Sequence, residues 1–319
     1  MNPLYLTEGD VAATFSMHDA LTVVEDAARA LAEGRAENKP RQRAYTKSAV
    51  IQVLAAAYDG RLGHKTYTVA PKGRGARFWV LLFDEAGQML AMIEADRLGQ
   101  IRTGAASGVA TRYLAREDAK TLAVIGTGWQ ARTQLEACVH ARPITRVLVY
   151  GRDPKRRAEF CELMQENVDA KIEPVDHPRD AVAEADVICT MTSSTTPVLE
   201  GAWLRPGTHL NAAGSNRANA QEIDVEAVTR AGVVAVEDIA QAKVESGDLR
   251  AANETAHWSW EHATRLSDIV AGHALGRTSD DQITLFESLG IGLWDVAAAS
   301  FVFDRCIIEG RGTHLPIPS

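Results

Sequence analysis

Apolar side chains recur at helical spacing at Ala20, Val23, Val24, Ala27, Ala30 and Leu31, and the Ser16-Met17-His18-Asp19 run ahead of them has the ends of a capping box. The pattern predicts an amphipathic helix that Gly34 ends. From Ala49 to Glu94 the texture changes to β-branched and aromatic runs, AVIQVLAAAY, GHKTYTVA, ARFWVLLFD and QMLAMIEA, separated by turn signals at Asp59-Gly60, Gly73-Arg74-Gly75 and Glu85-Ala86-Gly87. These runs predict an antiparallel sheet. The small residues of QIRTGAASGVATRYLA, 100–115, predict a closely packed helix. After it, short apolar strands alternate with helical segments: TLAVIG (121–126), RVLVYG (146–151), KIEPV (171–175), ADVICTMT (185–192), THLNAAG (208–214) and GVVAVED (232–238). That alternation predicts a doubly wound parallel sheet. Beyond Thr255, HWSWEHATRLSDIVAG reads as helical. LWDVAAASFVFDRCIIEG (293–310) reads as a final helix whose apolar stripe packs back on the first domain, and RGTHLPIPS as a fraying tail.

The length of 319 residues suits two domains, and 34 basic against 42 acidic side chains leave a net charge of −8. An acidic balance argues against a nucleic-acid partner, since phosphate binding needs a basic face. The four cysteines, Cys138, Cys161, Cys189 and Cys306, include no C-x-x-C, which fits a reducing compartment without disulfides. The start MNPLYLTEGD lacks the basic-then-apolar form of a signal peptide, and no apolar stretch is long enough to span a membrane. A cytoplasmic location is expected. The scattered histidines show no metal-ligand spacing, so no metal is expected.

The strongest local signal is Gly126-Thr127-Gly128-Trp129-Gln130-Ala131, directly after a strand and opening a helix, which fits G-x-G-x-x-G/A in its required context. Gly126 allows the tight turn, Gly128 lets backbone approach a diphosphate, Ala131 permits close packing, and the helix N-terminus favours phosphate charge. The chain is therefore expected to be α/β, with a Rossmann-type doubly wound parallel sheet joined to an α+β domain with a mainly antiparallel sheet. At the end of the second strand, where an acid would hold the ribose of NAD, stands Gly151-Arg152. Arg152, with Arg156 and Arg157 nearby, can bind a 2′-phosphate. NADP(H) is the preferred cofactor, and Asp153 keeps NAD(H) open.

Several further signatures occur together: Pro40-Arg41, Gly63-His64-Lys65, Arg102-Thr103-Gly104-Ala105-Ala106, Asn211-Ala212-Ala213-Gly214 with Glu222 and Asp224, Gly247-Asp248, and Gly276-Arg277 with Phe286-x-Ser288-x-Gly290. In this order, with the glycine turn, they resemble the ornithine cyclodeaminase/μ-crystallin family over essentially the whole chain. The resemblance implies a split substrate-binding and dimerisation domain, 1–115 and 293–319, around an NAD(P)-binding domain, 116–292. It also implies a homodimer formed through the first domain's sheet. Arg41 matches the family arginine that holds the substrate carboxylate, with Arg43 as the alternative if the register differs by two. Lys65 matches the lysine beside the reacting nitrogen. Arg102 and Thr103 match a position near the carboxylate and the cofactor phosphates, although Arg102 has Glu94 and Asp96 as other partners. Gly126, Gly128, Trp129 and Gln130 match the phosphate turn. Thr192 and Ser193 end the fourth strand and Asn211 to Ala213 the fifth, where cofactor contacts are expected, with Asn219 as a further one. The loops around Tyr67, Arg74, Phe78 and Trp79 and the HWSW stretch are candidates for the side-chain pocket.

One departure changes the expected chemistry. Where cyclodeaminases carry an aspartate, this chain has Gly214-Ser215-Asn216, and the family lysine four residues on is Ala220. An amide cannot accept and return a proton as a carboxylate does, so Asn216 is expected to orient substrate instead. The expected function is an NAD(P)H-dependent imine reductase or amino-acid dehydrogenase acting on a small α-imino or α-amino acid. The alternatives are an ornithine-type cyclodeaminase that recycles its NAD and a non-catalytic nucleotide-bound protein of the μ-crystallin type.

Overall fold

The computed structural model describes residues 2–69 and 76–316. The expected turn at Gly73-Arg74-Gly75 and the tail residues 317–319 lie outside the described residues. The chain forms two compact units, Met1–Thr103 with Ile291–Ser319, and Gly104–Gly290.

The first unit opens with β1 (Leu4–Leu6), α1 (Glu8–Thr14) and α2 (Met17–Ala32). It continues through β2 (Ala36–Asn38), β3 (Gln42–Tyr45), β4 (Val50–Tyr58), β5 (Arg61–Val69), β6 (Phe78–Phe83) and β7 (Met89–Glu94) to α3 (Asp96–Leu114), which starts in this unit and ends in the second. The second unit holds β8 (Thr121–Ile125), α4 (Trp129–Ala141), β9 (Arg146–Tyr150), α5 (Pro154–Gln165), β10 (Lys171–Pro174), α6 (Pro178–Val182), β11 (Val187–Thr190) and β12 (His209–Ala212). It then adds α7 (Val225–Arg230), β13 (Val233–Val236), α8 (Ile239–Glu245), α9 (Gly247–Glu254), β14 (Ala263–Arg265), α10 (Leu266–Val270) and β15 (Thr284–Glu287). The chain returns to the first unit for α11 (Gly292–Glu309) and β16 (Thr313–His314). No helix among the described residues is long and apolar enough to cross a membrane.

In the first unit the sheet order is β16-β1-β7-β6-β5-β4-β2, with β3 also on β4. The run β4-β5-β6-β7 is antiparallel as the alternating pattern predicts, while β1 joins β7 in parallel. Ser16 caps α2 within a reciprocal capping box, and Gly34 at φ +76° leaves it. The tail does not fray at once: Thr313 and His314 pair with β1, whose free edge offers backbone partners. Helix α11 lies over β4, β5 and β6 and beside α2. One face of β5 meets it residue by residue, since Arg61 binds Asp304, Gly63 packs against Val296, and Lys65 meets Asp295.

The second unit is an eight-stranded sheet in the order β10-β9-β8-β11-β12-β15-β13-β14, all parallel. Apolar clusters cover its faces, one around Leu122, Leu135, Val149 and Phe160, the other around Ile125, Leu210, Leu285 and Trp258. All six expected strands are present. Two more were not expected: β15 enters between β12 and β13, and Ala263–Arg265, read as helix, is β14 on β13. Three residues with one apolar contact face carry too little periodicity to separate strand from helix.

Gly292 decides how closely α11 approaches β4, because a Cβ there would stand 2.8 Å from the Leu54 carbonyl oxygen and 2.9 Å from its carbon. Alanine brings up to about 1 kcal/mol of helix propensity, whereas forcing backbone apart in a packed core costs about 1–3 kcal/mol. Gly292→Ala is therefore expected to lower stability, read as a lower urea midpoint with an unchanged slope.

Candidate functional site

The second unit presents a cleft of about 940 Å³ at the C-terminal ends of β8, β9 and β11, lined by Gly126, Thr127, Gly128, Trp129 and Gln130 from the glycine turn. Tyr150, Gly151, Arg152, Asp153 and Arg156 form the part beyond β9, and Met191 to Ser194 with Gly214 complete the wall. Gly126 has φ +124°, and a Cβ would lie 2.1 Å from the Met191 oxygen, so only glycine fits. Gly128 is the N-cap of α4, donates no side-chain cap, and faces open space where a Cβ would be. The first amides of α4 are thus left for an anionic group, as a dinucleotide diphosphate requires.

Within this cleft, Arg152 and Arg156 are exposed, while Asp153 caps α5 by accepting from the Lys155 and Arg156 amides at 2.9 and 3.1 Å. Arg157 is not available, contrary to expectation: it is buried, donating to the Gly151 carbonyl at 3.1 Å and to Asp176 at 2.6 Å. Thr192 and Ser193 line the cleft as expected, but Asn211 and Ala213 do not. The Asn211 amide is buried and donates to Thr111 at 3.1 Å, with its oxygen beside the ring of His209 at 3.2 Å. Burial holds that imidazole neutral, its pKa lowered to about 3. Asn216 and Asn219 lie in the loop after β12, the first half-buried and the second exposed. The side-chain oxygen of Thr103 donates to the Gly99 carbonyl at 2.6 Å.

The first unit gathers its charged candidates under α11. Lys65 is buried on β5, its Nζ donating to Asp295 Oδ1 at 3.1 Å, and Arg102 Nε donates to the same oxygen at 2.8 Å. Arg102 thus pairs with Asp295, not with Glu94 or Asp96. The Lys65 ammonium stands 5.0 Å from the Phe78 ring centre and 5.8 Å from that of Tyr67, and a Cβ on Gly99 would come within 2.7 Å of it. Arg41 precedes β3 and donates to Tyr67 Oη at 2.6 Å and Gln52 Oε1 at 3.2 Å. Burial, with help from Arg102 and Arg41, lowers the Lys65 pKa to about 8 against the opposing pull of Asp295. Lys65 and Arg102 share the Asp295 carboxylate and Arg41 adds a third positive charge near Lys65, which leaves the group positively charged, and its lysine exchanges a proton near neutral pH. Of the suggested pocket residues, Tyr67 and Phe78 stand here, and Arg74 lies outside the described residues. Trp79 meets Tyr5, and Trp258 packs against Trp260 in the second unit's core.

Sequence reasoning missed Asp295, and it named a second set, Glu222 and Asp248, only as signature residues without a role. Asp295 had one visible signal, a lone acid in the apolar run LWDVAAASFVF. The second set is a group of buried carboxylates behind the cleft. Glu222 accepts from Thr190 Oγ1 at 2.9 Å and from the amides of Thr192 and Gly214, joining the ends of β11 and β12. Asp248 accepts from the amides of Glu222 and Ile223 at 2.9 and 3.1 Å. Burial raises Glu222 and lifts Asp248 to about 7, with Glu222 adding repulsion.

Comparison with known proteins gives these geometries a context. The sequence profile of the ornithine cyclodeaminase/mu-crystallin family matches residues 1–310. A Δ1-pyrroline-2-carboxylate reductase of Bacillus cereus is 38% identical over 262 residues, 80% of each chain. The structure of Thermococcus litoralis Δ1-pyrroline-2-carboxylate reductase with NADH and L-proline superposes with a TM-score of 0.93 at 33% identity, covering 98% of this chain and 100% of that one. An archaeal alanine dehydrogenase dimer with bound NAD gives 0.94 at 30% identity, with both chains fully covered.

The Asp248 carboxyl yields a pH prediction. Its folded pKa lies above the unfolded value of about 4, so the native state holds a proton that the unfolded chain has lost. Stability then falls as pH rises from about 4 to about 7, by at most about 1.4 kcal/mol per unit from this group. Asp248→Asn keeps an acceptor for both amides and removes the titration. Urea unfolding between pH 4.5 and 7.5 is expected to give a shallower decline in the variant than in the wild type.

Proposed function

The chain belongs to the ornithine cyclodeaminase/mu-crystallin family, and we propose that within it the protein is an NAD(P)H-dependent oxidoreductase interconverting a small α-imino acid and its α-amino acid. The observation that carries the reading is the buried pair of Lys65 and Arg102 sharing the carboxylate of Asp295, with half-buried Arg41 adding a third positive charge near Lys65. The group's excess positive charge suits an anionic substrate, and the planar fork of Arg41 suits a carboxylate. Lys65, poised near neutrality, gives the proton to the nitrogen in reduction and takes it back in oxidation. Residues of the glycine turn would hold the nucleotide, which when bound supplies or accepts the hydride at the substrate carbon. Asn216 in place of an acid supports reduction over cyclodeamination, since no carboxylate stands at that position to shuttle protons.

The neighbours in complex carry NADH and NAD. The preference for NADP(H) is argued from this chain's own cleft. Gly151 brings no carboxylate to the end of β9, Asp153 is engaged in capping α5, and Arg152 and Arg156 line the cleft exposed, where they can meet a 2′-phosphate. A homodimer is supported by the alanine dehydrogenase neighbour and by the sheet face away from α11. There Ile51 and Leu62 are 42% and 47% exposed beside Val53, Ala55 and Phe83. A second copy of this face is the covering partner that fits. A cytoplasmic setting goes with a pyridine-nucleotide substrate pool.

Turnover, ammonia release, nucleotide affinity and light scattering test the reading. Mixing cyclic ketimine acids, or pyruvate and glyoxylate with amines, with NADPH is expected to consume the nucleotide at 340 nm. Lys65→Ala and Arg41→Ala are each expected to cut turnover at least about 100-fold with nucleotide affinity unchanged. Ammonia release from diamines without net nucleotide consumption would point to a cyclodeaminase instead. Arg152→Ala with Arg156→Ala is expected to weaken NADPH at least about 10-fold and leave NADH nearly unchanged; equal losses would remove the phosphate preference. Leu62→Glu is expected to convert a dimer to a monomer by light scattering.

A further inference from the structure

We propose that Asp295 is the positioning residue of the cationic centre: one carboxylate oxygen, shared by Lys65 and Arg102, fixes the lysine ammonium and decides whether it carries a proton at working pH. The inference rests on the reductase reading for the meaning of that proton, while its geometry stands alone.

Asp295 lies in the first turn of α11, is fully buried, and takes both cations on Oδ1. Its Oδ2 has no hydrogen-bond partner among the described residues, so the carboxylate's directed bonds run through the shared oxygen. That arrangement makes Lys65 and Arg102 competitors for one negative charge. Among the described residues, no other carboxylate is bonded to Lys65. Beside Asp295 on α11 its surroundings comprise Arg102 and Gly99 on α3, Arg41 ahead of β3, Gln52 on β4, Tyr67 on β5 and the Phe78 ring on β6. Both arginines push the lysine toward its neutral form and Asp295 pulls it back. The position of α11 along β5 therefore sets an acid-base property, because sliding the helix would separate Oδ1 from Nζ. On the reductase reading Lys65 is the proton carrier, and Asp295 decides whether it is loaded for reduction.

Competition for one charge gives effects of opposite sign, which a merely space-filling residue would not. Removing the carboxylate in Asp295→Asn should lower the pH at which Lys65 titrates by one unit or more. Removing the competitor in Arg102→Met should raise it, and Asp295→Glu should keep it near the wild-type value. The readout is the ε-carbon resonance of ¹³C-labelled lysine followed against pH, with Lys65→Arg assigning the signal, so no turnover is needed. In the active enzyme, the limb on which reductive kcat/KM falls with rising pH should shift in the same directions. The Asp295→Asn enzyme should then recover at acid pH and keep its oxidative rate at lower pH than the wild type.

Titrations of Lys65 that coincide in the wild type, Asp295→Asn and Arg102→Met would overturn the proposal. If Asp295→Asn does not fold, the upward shift in Arg102→Met decides by itself, and its absence counts against the inference. Lysine titrations that move as described, in a wild type that reduces no imino acid with either nucleotide, would uphold Asp295 and sink the reductase reading.

Discussion

A carboxylate without access to water cannot remain charged alone, and in the first unit Asp295 is such a group. Its need for partners joins three stretches of chain, since Lys65, Arg102 and Asp295 come from β5, α3 and α11. Breaking a buried pair of this kind costs about 3–5 kcal/mol, enough to favour one register of the final helix strongly. Packing and charge agree in that register. Gly63 lets Val296 approach the sheet, which carries the neighbouring Asp295 to the next inward side chain of β5, Lys65. The last helix is thus part of the charged centre as well as the core.

The second unit handles its buried acids with backbone. Glu222 and Asp248 accept main-chain amides, and Glu237 does the same with Leu289 and Gly290 and with the hydroxyl of Ser288. Each ties a strand end to a neighbouring turn. A parallel sheet places its ligand cleft where strands end, so that region is least held by the ladder and gains most from such ties. Gly214 has no space for a side chain because the Glu222 carboxylate lies 2.4 Å from where its Cβ would be.

What could be read from the sequence follows the range of the signals. Ser16 with Asp19, the alternation through β4 to β7 and the Gly126–Ala131 turn act within a few residues, and each gave its element. The strands β14 and β15 were missed because their three and four residues lack a period of their own and owe their state to neighbours distant in sequence. The same limit applies at the sites. Lys65 and Arg41 were reached through resemblance, but Asp295, 230 positions from Lys65, becomes visible only when α11 lies on β5. Arg157 and Asn211 show the reverse error. Their residue types suit a nucleotide and their positions are close to the turn and strand end, yet burial turns one to Gly151 and Asp176 and the other to Thr111.

Charge also separates the chemistries open to this scaffold. A cyclodeaminase must accept a diamine, whose second ammonium enters a centre where Arg41, Arg102 and Lys65 already outnumber Asp295. At about 4 Å and an effective dielectric near 20, each added like-charge pair costs about 4 kcal/mol. An α-imino acid carries one carboxylate and a nitrogen that needs one proton. Lys65, lowered to about 8, carries a proton at neutral pH and releases it without a large uphill step. The balance of three cations to one acid therefore favours a substrate with one anionic end and a single reacting nitrogen.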